Sequence, residues 1–286
     1  MYKRHFFLLF VLIVLSLTGC SKQTAISVTT IPPDTTMPAV TITTKPFFNE
    51  PVVSEPIQTE PMPTESIPTE HEPISLYIPG EPVEDVIQYF NEVCLDAEYV
   101  HSGDPSKLQK WMQPIRYILL GEPTEEDRST LHDFTQWLNT INGFPGISET
   151  ALPEEANLRI HFCSHEDMLT IMGSDYAGLD GAVTFWYDSN NVIYDAVICC
   201  RTDLEQTLRN SVILEEIYNG LGPIQDTQLR TDSIIFAGFS QPQQLTEIDQ
   251  LLLQLLYDPA IQCGMNAETC ESVIRQVYYE SNTSGN

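Results

Sequence analysis

The chain has 286 residues, with 13 Lys plus Arg against 40 Asp plus Glu and a formal net charge of −27. A surface of that sign repels phosphate backbones and anionic lipid, which excludes nucleic-acid binding as a working class. Of the seven cysteines, none forms a CxxC pair, so the spacing does not describe a structural zinc site.

The first twenty residues, "MYKRHFFLLFVLIVLSLTGC", begin with Lys3, Arg4 and His5 and continue in an apolar run from Phe6 to Leu17. The run is shorter than the roughly 20 residues a spanning helix needs. With the small-residue step Leu17-Thr18-Gly19-Cys20, it describes an export signal. The stretch resembles the bacterial lipoprotein signal. That resemblance implies cleavage after residue 19, acylation of Cys20, and anchoring at the outer, extracytoplasmic face of the cell membrane. The reading is a signal over residues 1–19, a lipid-anchored linker over 20–75, and one domain over 76–286.

The linker is rich in Thr, Pro, Ser and Glu and contains the repeat "PVVSE PIQTE PMPTE SIPTE", with Glu55, Glu60, Glu65 and Glu70 in phase. Proline removes backbone donors and disfavours both helix and central strand. The segment reads as a disordered, semi-rigid stalk whose extended reach is on the order of 100 Å or more. It would carry the domain through a cell-wall layer, toward a cell-wall or protein ligand.

In the domain, "PVEDVIQYFNEVCLDAEY" has a helical apolar face of Val83, Val86, Ile87, Phe90 and Val93. "MQPIRYILLG" reads as a strand. "TEEDRSTLHDFTQWLNTING" reads as a helix opened by Thr124 and closed near Gly143. "NLRIHFCS" alternates as a strand, with Leu158, Ile160 and Phe162 inward and His161 and Cys163 on the opposite face. His161, Cys163 and His165 invite a zinc site, but a buried or disulfide-bonded Cys163 is the plainer reading. "GAVTFWYDSNNVIYDAVICC" is a hairpin turning at Asp188-Ser189-Asn190-Asn191. Helices follow in "TDLEQTLRNSVILEEIYNGLG", in "LTEIDQLLLQLLYDP", and from about Asn266. The class is α+β.

Apart from Cys20, six cysteines remain: Cys94, Cys163, Cys199, Cys200, Cys263 and Cys270. An exported chain of this kind is expected to hold at least one disulfide. Cys263–Cys270 is the nearest local pair. Cys199 and Cys200 take opposite faces of a strand, which puts at most one of them in the core.

The stretch "EEIYNGLGPIQD" has the spacing of the metzincin helix HExxHxxGxxH, in which two histidines one turn apart and a third beyond the glycine hold zinc. Glu215 stands at the first ligand position, Glu216 at the general-base position, Asn219 at the second ligand, Gly222 at the glycine and Gln225 at the third ligand. "DSIIF" follows, with Ile235 where a methionine turn has its methionine, and then a helix ending in "LLYDP" and the step "CGM". Together these resemble a bacterial family of exported domains of unknown function, the one numbered 2927, whose members look like degenerate zincins. The resemblance spans roughly residues 80–275 and is most specific near the C-terminus. It implies a zincin-like (metzincin-like) domain with a mixed sheet and an active-site-type helix. The family has no established activity to carry over.

Neutral amides and carboxylates make a poor zinc site, because zinc prefers imidazole and thiolate. Oxygen ligands suit calcium or magnesium instead. The chain thus reads as a non-catalytic binding or cell-envelope module with no cofactor. The alternative is a metal-dependent peptidase or hydrolase that uses Glu216 with an atypical oxygen-ligand metal. Ile213, Ile217 and Leu221 form a buried stripe, and Glu215, Glu216 and Asn219 cluster on the other side, as they would on a helix with a solvated face.

Overall fold

The computed structural model describes residues 26–29, 76–95 and 106–283. The residues read as an export signal, Cys20 and the glutamate repeat lie outside them. Among the described residues no helix is long and apolar enough to cross a membrane.

The domain is built on a mixed sheet. Its centre is three parallel strands, β3 (Ile115–Gly121), β5 (Leu158–Cys163) and β7 (Val192–Arg201), with the short β4 (Ile147–Glu149) parallel to β3 at one edge. On the far side of β7, β6 (Gly181–Tyr187) runs antiparallel, and β1 (Ile26–Thr29) lies parallel to β6 at the outer edge. A two-residue strand, β2 (Lys110–Trp111), pairs with the first residues of β7. The strand order is β1-β6-β7-β5-β3-β4. Thus four residues of the segment read as a stalk, 26–29, supply an edge strand. Their run "ISVT" is β-branched and proline-free, unlike the repeat that follows, which suits a sheet edge.

The β6–β7 hairpin turns where the sequence places it. Asp188 Oδ1 accepts from the Asn190 and Val192 amides at 2.8 and 3.0 Å. Asn191, at φ 62°, is the one non-glycine residue with positive φ among the described residues. Asparagine tolerates that conformation better than other side chains do.

Among the described residues six α-helices complete the fold: α1 (Val83–Leu95), α2 (Glu125–Leu138), α3 (His165–Met172), α4 (Gln206–Gly220), α5 (Glu247–Tyr257) and α6 (Ala267–Thr283). α2 and α5 begin with capping boxes, Thr124 with Asp127 and Thr246 with Asp249, and each box satisfies amides at a helix start. α3 is the helix the sequence reading missed, because eight residues give little periodicity. Its N-cap is Ser164, whose hydroxyl accepts from the Asp167 amide.

One face of the sheet carries the main core, in which Ile160, Phe162, Val183, Phe185, Ile198 and Cys200 pack with apolar residues of α1, α2, α4, α5 and α6. The other face carries a small second core of Met168, Tyr176, Leu179, Ala182 and Cys199 beneath α3. Cys199 and Cys200 do alternate between faces, yet both are fully buried. The expectation that at most one is inside is corrected by α3, which covers the face that a one-core reading leaves open.

Candidate functional site

α4 lies against β6 and β7 on one side and against α2 on another. Every residue from Arg209 to Gly220 is buried. A helix covered all round has no solvated face, and this corrects the amphipathic reading of Glu215, Glu216 and Asn219. Their exposures are 1%, 1% and 0%.

The two halves of α4 treat polar groups differently. In the first half, Arg209 Nε donates to Asp127 Oδ1 at 2.8 Å, and Gln206 Nε2 donates to the same oxygen at 2.7 Å. The guanidinium also reaches the Thr202 and Leu204 carbonyls at 3.0 and 3.3 Å and the Gln206 side-chain oxygen. Burial pushes the Asp127 carboxyl upward. The bonds from Arg209, Gln206 and the Thr124 cap outweigh it and hold the group below its ordinary range.

In the second half, Glu215, Glu216 and Asn219 occupy adjacent positions in the helix interior. Neither polar atom of the Asn219 side chain has a hydrogen-bond partner among the described residues. Glu216 faces the start of β6: a methyl group at Gly181 would stand 2.6 Å from Glu216 Oε1, 2.8 Å from its Cγ and 2.5 Å from Val212 Cγ1. Gly181 therefore makes room for this carboxylate.

The end of α4 is closed by side chains from distant segments. Trp111 Nε1 donates to the Gly220 carbonyl at 2.9 Å, and the Tyr257 hydroxyl donates to the Leu221 carbonyl at 2.7 Å. Gly222 follows at φ 132°, where a methyl would stand 2.6 Å from the Gln109 carbonyl oxygen. The motif glycine is thus required by backbone conformation and close approach. Beyond it the Ile224 and Gln225 amides donate to the Val93 carbonyl at 2.6 and 3.2 Å. Gln225 is half-buried in that turn.

The "DSIIF" segment lies against the same assembly. Ile234 and Ile235 are fully buried. Asp249 Oδ1 accepts from the Ser233 hydroxyl at 2.7 Å and from Tyr89 at 3.3 Å, and Oδ2 accepts from the Ile234 amide at 3.1 Å. Burial raises the Asp249 carboxyl above its ordinary value despite these bonds. The Tyr218 hydroxyl donates to the Asp249 carbonyl at 3.0 Å, which joins α4 to α5. Lys110 is buried beside them. Its ammonium donates to the Leu256 and Ile261 carbonyls at 2.8 and 2.6 Å around the end of α5. Burial lowers its pKa to about 8. Two helix ends are thus closed by side chains from elsewhere: Tyr257 of the "LLYDP" run closes α4, and Lys110 closes α5. These supports escaped the sequence reading. The one local signal for Asp249 is the Thr246-x-x-Asp249 box.

The donor set does not suit zinc. Glu215, Glu216, Asn219 and Gln225 offer carboxylates and amides and no imidazole or thiolate. Among the described residues no three His, Cys, Asp or Glu side chains are grouped to hold a metal ion. Of the His161, Cys163 and His165 pattern, His165 is engaged by the backbone, its Nε2 accepting from the Gly178 amide at 3.3 Å.

Cys94, Cys163, Cys199, Cys200, Cys263 and Cys270 are all free thiols in this structure. The expected Cys263–Cys270 bond is not formed. Cys270 is fully buried, whereas the half-buried Cys263 donates to the Lys110 carbonyl at 3.6 Å.

A search of curated proteins found no match for the chain. A family model described as "Protein of unknown function (DUF2927)" matches residues 83–276, a span that runs from the first residue of α1 into α6 and contains all of the helix-end closures above. The chain belongs to that family.

Proposed function

We propose that the chain is a surface-anchored lipoprotein whose zincin-like domain is a non-catalytic binding or cell-envelope module. The observation that carries this reading is the burial of Glu215, Glu216 and Asn219 in α4, at 1%, 1% and 0% exposure. A zincin-type peptidase needs a Lewis-acidic metal, a water on it and a path for the substrate. Glu216 stands at the general-base position but is enclosed by Gly181 and Val212. The zincin-like part of the reading is supported by element order. β5 is followed by the β6–β7 hairpin and then by α4, which packs across those strands, and the "DSIIF" turn and the α5 "LLYDP" end close around the helix.

Metal analysis and a peptidase assay on the purified chain test the proposal. The expected result is no stoichiometric zinc and no chelator-sensitive peptide hydrolysis. Tight zinc binding with such hydrolysis would reverse it in favour of an enzyme using Glu216. A variant with Glu215→His, Asn219→His and Gln225→His tests the scaffold separately. It should gain zinc affinity if the spacing derives from a zincin, and a folded variant with no zinc affinity would end that part of the reading. Anchoring is tested by Cys20→Ser, which should abolish incorporation of a fatty-acid probe. Equal labelling of both proteins would refute lipidation.

A further inference from the structure

We propose that Cys163 and Cys199 form a redox-active thiol pair, which exchanges with small-molecule or protein disulfides through the groove beside α3. The topology selects these two from six cysteines. His161 of β5 lies opposite Cys199 of β7, and Cys163 lies opposite Arg201. Cys163 is therefore two residues further along the neighbouring strand, and both thiols project from the α3 face. Cys163 packs against the small core that contains Cys199. Cys200 is adjacent in sequence but belongs to the opposite core. Strand alternation prevents it from competing.

Access separates the roles. Cys163 is half-buried and lines a groove of about 500 Å³ together with Gly121, His161, Ser164, Asp167 and Thr170. Cys199 is fully buried beneath α3. Cys163 also immediately precedes Ser164, the N-cap of α3, where the positive end of a helix favours a thiolate. Interaction with the neighbouring Cys199 thiol lowers the Cys163 pKa, against burial and the carboxylates of Asp167 and Asp203. Cys199 is shifted upward by the same interaction and by burial. The pair thus has one groove-lining attacking thiol and one shielded resolving thiol.

The exchange balances as two displacements. The Cys163 thiolate attacks one sulfur of an incoming disulfide, which releases the other sulfur as a thiolate and leaves a mixed disulfide on Cys163. Cys199 then gives up its proton, to the released thiolate or to water, and attacks the Cys163 sulfur. The Cys163–Cys199 bond forms and the second thiolate leaves. Two protein thiols are oxidised and one disulfide is reduced to two thiols.

The test exposes the native full chain to oxidised glutathione, blocks the remaining thiols by alkylation, and maps disulfides by peptide mass spectrometry. One intramolecular disulfide joining Cys163 to Cys199 is expected. In the reduced protein a maleimide should label Cys163 at least about tenfold faster than Cys200, which is reached only by local opening. Cys199→Ser should trap glutathione on Cys163. A native chain in which Cys163 carries glutathione without closing onto Cys199, or in which another pair forms first, would overturn the proposal. So would Cys163 labelling no faster than Cys200. The wild-type readouts stand whether or not the variant folds.

Discussion

Both halves of α4 bury polar side chains, but they hold them in opposite ways. Arg209 and Asp127, at the first half, form an ion pair in which Gln206, two backbone carbonyls and a helix cap use the remaining donors and acceptors. Asn219, in the second half, has neither polar atom hydrogen-bonded among the described residues, and it stands beside two buried carboxyl groups. Fully satisfied buried networks rigidify a core, whereas an unsatisfied buried amide costs free energy that packing elsewhere must offset. The first half of α4 therefore fastens the helix to α2. The second keeps an amide, Asn219, that stability alone would replace.

The largest test of that contrast is Arg209→Met. It leaves Asp127 buried without its cation and should destabilise the domain by about 3–5 kcal/mol, read as a lower urea midpoint with an unchanged slope. A loss below about 1 kcal/mol, the range of exposed ion pairs, would mean that the first half is not the fastening end. Gly181→Ala comes next. Its methyl meets Val212 and Glu216 inside van der Waals contact and should cost about 1–3 kcal/mol as an overpacked core. A crystal structure of the variant should show Glu216 displaced. An unmoved Glu216 would mean that β6 gives way instead.

Asn219→Leu reverses the sign. Replacing an amide that has no partner by an apolar side chain of similar size should leave stability unchanged or raise it by about 1 kcal/mol. A thermal midpoint lowered as far as that of Arg209→Met would erase the difference between the halves.

The smallest effect is in the pH profile. Asp127 and Asp249 both stand third in capping boxes, yet their carboxyl groups shift in opposite directions. The lowered Asp127 contributes stability that is present above its unfolded pKa, about 4, and is lost as pH falls through its folded value. The raised Asp249 gives the opposite slope, because the folded state binds that proton more tightly and gains stability as pH falls through the raised value. Asp127→Asn should therefore flatten the acid limb of a stability-against-pH curve, and Asp249→Asn should steepen it. Equal slopes in the two variants would show that neither shift is expressed.

Much of this was written locally. The alternation in "NLRIHFCS", the Asp188–Asn191 turn, the Thr124 start of α2 and the register from Glu215 through Gly222 to "LLYDP" all depend on neighbours a few residues apart. The eight-residue α3 was not legible, because two turns of helix give little periodicity. Without it the second core disappears, and Cys199 seems exposed. Nor could periodicity reveal that α4 is covered on every side. An acidic face reads the same whether water or β6 lies against it.

What the sequence determined by itself is the order of the longer helices and strands, the family over residues 83–276, and the positions where imidazole ligands would have to stand and do not. Those are properties of residue type and spacing. Only the tertiary structure decided which thiol meets which, that the Glu215–Asn219 face is shut, and that two capping-box aspartates shift in opposite directions. Each of those depends on a partner far away in the chain. Arg209 stands 82 residues from Asp127, and Tyr89 stands 160 from Asp249. Such contacts form when packing brings segments together and removes water from between them, and no local pattern encodes that.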